Sequence, residues 1–69
     1  MDRKEFVEQT LSEILRMAKP NLVRCEHLEK DEDEFCRVHC ENGCSYDINI
    51  SYDSLAAIVL DVFNKMINK

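Results

Sequence analysis

From Phe6 to Ala18 the apolar residues fall at Phe6, Val7, Leu11, Ile14, Leu15 and Ala18, a spacing of three and four that lines one face of a helix. Asp2 and Glu5 suit its positive N-terminal end. Pro20 disfavours the α conformation at Lys19, so the helix is predicted over about 3–19, with Asn21 as turn residue. The same spacing returns at Leu55, Ile58, Val59, Val62, Phe63 and Met66. Ser51, Asp53 and Ser54 supply N-cap oxygens before it, and Lys65 and Lys69 complement its negative end. A second helix is predicted over about 53–68.

Between the helices the period drops from 3.6 to 2, which predicts strands at about 22–29, 35–41 and 44–50. A three-residue turn at Glu41-Asn42-Gly43, with Gly43 left-handed, pairs Cys40 with Cys44, Val38 with Tyr46, and Cys36 with Ile48. A tight turn at Asp31-Glu32 pairs His27 with Cys36, Cys25 with Val38, and Val23 with Cys40. One face then carries Val23, all four cysteines, His27, Val38, Tyr46, Ile48 and Ile50, and lies under both helices. The other is mostly polar, with Glu26 facing Arg37 as a cross-strand ion pair and Leu22, Leu28 and Phe35 as its apolar members. The expected architecture is a single α+β domain over 1–69: two-layer α-β-β-β-α, a three-stranded antiparallel meander with both helices packed on one face.

Composition narrows the function classes. Nine Lys plus Arg against 14 Asp plus Glu leave a net charge of −5, which repels a phosphate backbone. Direct nucleic-acid binding is therefore not expected, although the element order is also that of double-stranded RNA binding domains, because topology alone carries no function. The N-terminus lacks the apolar run of a signal peptide, and the longest apolar run, Leu55 to Leu60, is too short to span a bilayer. No membrane association and a cytoplasmic location, where thiols stay reduced, are the expectation.

All four cysteines and both histidines lie between positions 25 and 44, and these residue types bind zinc, form disulfides or do thiol chemistry. On the proposed face the cysteines act foremost as small hydrophobes of a thiol-rich core. The rival is a zinc-stabilised domain using Cys36, Cys40, Cys44 and either Cys25 or a histidine, against which stand the outward direction of His39 and the poor convergence of ligands on one sheet face. Cys40 and Cys44, opposite each other, form the candidate redox pair. Cys36 beside His27 resembles a nucleophile and base, but so short a chain with one glycine leaves little room for a substrate cleft, and no catalytic residue is assigned.

Two surface features remain. The tip Asp31, Glu32, Asp33 and Glu34 is either a solvated turn or an acidic knob for a basic partner, as in nucleic-acid-mimicking inhibitors from mobile elements. Leu22, Leu28 and Phe35 on the polar face form a candidate interface for a protein partner or a homodimer, and an exposed strand edge offers another route to self-association. The resulting expectation is a small, acidic, non-enzymatic protein-interaction or regulatory module without a cofactor, zinc being the rival's one requirement.

Overall fold

The computed structural model describes residues 2–19 and 21–67. Its order is helix, three strands, helix, with the strands in one antiparallel sheet of order β1-β2-β3. The strands are β1 (Leu22–Lys30), β2 (Asp33–Cys40) and β3 (Ser45–Asn49). Val7, Leu11 and Leu15 from the first helix meet Cys25, Cys36, Val38, Ile48 and Ile50 from the sheet side and Ile58, Val62 and Met66 from the second helix in one core. The α+β fold with both helices on one sheet face is thus as the periodicity predicts.

The N-terminal helix is not uniform. It begins as α-helix at Arg3–Glu5, capped by Asp2 accepting from the Glu5 amide at 2.7 Å, passes through a π-helical stretch Phe6–Leu11, and returns to α-helix over Ser12–Ala18. Its buried apolar residues, Val7, Leu11 and Leu15, are spaced by four. An α-helix turns every 3.6 residues, so such a row drifts around the cylinder, whereas the wider π turn keeps it closer to one line. Ala18, expected on the buried face, is exposed where the helix runs out over the sheet. Pro20, the predicted terminator, lies outside the described residues, as does position 68 at the end of the second helix.

The C-terminal helix spans Leu55–Ile67, and Ser54 caps it by accepting from the Ala57 amide at 3.2 Å. Both turns form as the residues dictate. Lys30 pairs with Asp33 across Asp31-Glu32, with Asp31 at φ 57°, and Gly43 sits at φ 87° between Cys40 and Cys44. The β2–β3 register matches expectation at Val38↔Tyr46 and Cys36↔Ile48, and the β1–β2 register at His27↔Cys36 and Cys25↔Val38.

The register departs from expectation at the start of β1. Cys40 pairs with Leu22, not Val23, because a bulge lies between Leu22 and Arg24. The extra residue reverses the inward and outward order, so Leu22 is buried in the core and Val23 is 49% exposed. Leu22 is consequently no part of an outer-face interface. Strand β3 also begins one residue later than expected, which leaves Cys44 in the turn and exposed rather than core-facing.

Candidate functional site

The most connected polar group lies where the N-terminal helix, the β1–β2 hairpin and the chain after β3 meet. Glu34 follows Cys36 and Val38 in alternation and therefore points to the helix-covered side. There its carboxylate takes two bonds from Arg3 Nε at 3.0 and 2.9 Å and one from Arg3 Nη2 at 2.5 Å. Arg3 also donates to the carbonyls of Ile50 and Asp53. His27 Nε2 lies 2.5 Å from Glu34 Oε2, with a side chain only 7% exposed. The Arg3 guanidinium first, then His27, holds the Glu34 carboxyl below the usual carboxylate range against the opposing cost of burial. Glu34 is thus a latch between elements and not a member of an acidic surface knob. Asp31, Glu32 and Asp33 remain exposed at the hairpin tip.

Beside this latch stands a weak point. Asp53 Oδ2 is buried with no hydrogen-bond partner among the described residues, and the neighbouring Asp61 carboxyl pushes the Asp53 pKa up, since the proton that one of them carries relieves the repulsion between two like charges. Further charged pairs sit on the uncovered sheet face. Arg37, expected to pair with Glu26, instead bonds Asp47 at 2.7 and 3.1 Å. Glu26 turns to His39 Nε2 at 2.9 Å, and Arg24 lies near it.

The cysteines separate by environment. Cys25 and Cys36 are buried, Cys40 is half-buried and Cys44 is exposed, all as free thiols. Cys25 and Cys36 are both buried in the core, where the interaction of the two thiols holds the Cys25 pKa down and, together with burial, pushes that of Cys36 up. Among the described residues no three His, Cys, Asp or Glu side chains are grouped to hold a metal ion. The Cys40 amide donates to the Cys44 carbonyl at 2.9 Å, so the two residues of the candidate redox pair do face each other across the turn. A thiol-reactive reagent followed by mass spectrometry is expected to modify Cys44 first and Cys40 more slowly, with Cys25 and Cys36 reacting only on unfolding. Equal rates at all four would contradict the observed burial.

Two features were not legible in the sequence. The outward amides of β1 are closed by the N-terminal helix: Ser12 Oγ accepts from the Cys25 amide at 2.8 Å and Glu8 Oε2 from the His27 amide at 3.2 Å. The second is an apolar surface on the C-terminal helix. At about 100° per residue, Val59, Phe63, Ala56 and Leu60 follow one another around the helix from its buried stripe into solvent. Leu60 is 64% exposed, Leu55 36%, and Tyr52 just before the helix 98%. Leu28 and Phe35 are opposite each other on the uncovered sheet face, but both are half-buried. Among the described residues no helix is long and apolar enough to cross a membrane. In comparisons with protein-family models, curated proteins and solved structures nothing matches the chain.

Proposed function

We propose that this protein is a non-enzymatic protein-interaction module of the cytoplasm, working through the apolar shoulder of its C-terminal helix. The supporting observation is the run from Val59 and Phe63 through Ala56 to Leu60, which carries the core's apolar surface out to solvent. Singly exposed apolar residues are ordinary, whereas one contiguous strip offers the aromatic and aliphatic anchors that dominate protein interfaces. The net charge of −5 favours approach by a basic partner.

A photo-crosslinking residue placed at position 56 in expressing cells tests this reading. The expected result is one protein adduct of defined mass, whose yield falls about tenfold in the Leu60→Glu background, the loss of a single interface anchor. The thermal midpoint should change little, because the substitution is on the surface. Equal yields with and without Leu60→Glu would overturn the proposal.

A further inference from the structure

The two edges of the sheet are treated differently, and the difference has a partner written into it. In the antiparallel ladder each residue directs its backbone groups alternately toward one neighbour and away from it. The Cys40 amide bonds the Cys44 carbonyl and the Ile50 amide bonds the Glu34 carbonyl at 2.8 Å, so the even-numbered residues from Cys44 to Ile50 face β2. Ser45, Asp47 and Asn49 therefore direct their amides and carbonyls away from the sheet. Among the described residues no hydrogen bond is made to these outward groups. On β1 the equivalent amides of Cys25 and His27 are occupied by Ser12 and Glu8, and the bulge at Val23 further disrupts that edge. One edge is closed and the other is open.

The open edge also borders a groove. A space of about 440 Å³ runs along the whole of β3, walled on its far side by Lys65 and Met66 of the C-terminal helix. Strand β3 has no proline, no lysine and no bulge, three of the devices that blunt an edge, and Asp47 is its one charged residue. Its five residues span about 17 Å, enough for the main-chain bonds of an added strand.

A second copy of the chain fits this edge poorly. Pairing two β3 strands about their midpoint sets Asp47 directly opposite Asp47, a destabilising like-charge pair, and brings together two chains of net charge −5. A foreign strand with a basic residue at that position shares with Arg37 the Asp47 carboxylate, whose side chain stays 45% exposed, while its flanking residues fall on the side of Tyr46, Ile48 and Met66. We infer that the free edge of β3 is a strand-addition site for an extended segment of a partner protein, apolar at two alternate positions and basic between them. The inference rests on the reading of this chain as an interaction module, and it adds a second surface to the helix shoulder.

The test uses the intact protein and the probe acetyl-Thr-Val-Lys-Val-Thr-amide, with a Glu-for-Lys peptide as control, followed by amide hydrogen exchange in NMR spectra. The expected result is slowed exchange at Ser45, Asp47 and Asn49 with no change at Cys25 and His27. Asp47→Lys should reverse the preference between the two peptides, each cross-strand charge pair changing affinity up to roughly fivefold. Ser45→Pro removes an outward amide without touching the β2 ladder, and should weaken binding of both peptides. No protection along β3 in peptide excess, or equal protection along β1, overturns the inference. Concentration-dependent protection of the same amides without peptide overturns it in favour of self-pairing. If β3 stays unprotected while crosslinking at position 56 still depends on Leu60, only the edge inference fails; if the crosslink loses that dependence while β3 is protected, it is the helix-shoulder reading that fails.

Discussion

Replacing Glu34 by glutamine should lower the stability of the fold by roughly 2 kcal/mol, the worth of charge-assisted bonds in a mostly buried setting after a discount for the partial exposure of Arg3. In a domain of this size that corresponds to a fall of about 10 °C in the thermal midpoint. Glu34 joins three parts of the chain, since its carboxylate holds Arg3 of the first helix and His27 of β1 while its backbone amide donates to Ser51 Oγ at 2.8 Å. The folded-state pKa of Glu34 lies below its ordinary value of about 4.3. Its contribution is therefore present in full above the unfolded pKa and is lost as pH falls through the folded one. The parent protein should lose this stabilisation in acid, and the difference between parent and Glu34→Gln should shrink there. A constant difference from pH 7 to pH 2, measured by chemical denaturation, would show that Glu34 acts through packing and not through charge.

The second large effect is expected at Ser12. It is fully buried, and its hydroxyl accepts from the Cys25 amide while lying 3.5 Å from the Val7 carbonyl, five residues back in the π-helical stretch. Ser12→Ala leaves a buried amide without a partner, a cost of about 1–3 kcal/mol. Glu8→Ala should cost less, because Glu8 is only half-buried and water can replace the lost acceptor. Urea denaturation of both variants checks the order. Faster exchange of the Cys25 amide in Ser12→Ala would tie the loss to the edge of β1, and unchanged exchange would place it elsewhere.

Much of the fold was legible because alternation and turn chemistry agree. Gly43 and the Asp31-Glu32 turn set the phase of each hairpin, and inward-facing Cys25, Cys36, Val38 and Ile48 fit only one register. The bulge at Val23 was not legible, since Leu22 and Val23 are adjacent and both apolar, so alternation could not say which faces in. The π-helical stretch was hidden for a similar reason: a spacing of four suits an α-helix nearly as well. Surface chemistry was harder to read. Glu34 looked like one acid among several because its partner Arg3 is 31 residues away in sequence, and Leu60 falls outside the helix's apolar stripe of Leu55, Ile58, Val59, Val62, Phe63 and Met66, so spacing alone gave no sign that it extends the core's surface into solvent. The difference between the two sheet edges depends wholly on which helix side chains reach them, a tertiary fact that no local pattern encodes.

Tyr52 shows what such a surface demands of the chain. It occupies the left-handed region at φ 67°, where glycine rests without a steric penalty and a large side chain does not, and its ring is almost wholly in water. Folding gains nothing from a tyrosine there. On the proposed interaction role, selection for stability and selection for contact pull in opposite directions at this position, so a library screened for heat resistance alone should drift toward glycine at 52 and, on that proposal, lose binding as it does so.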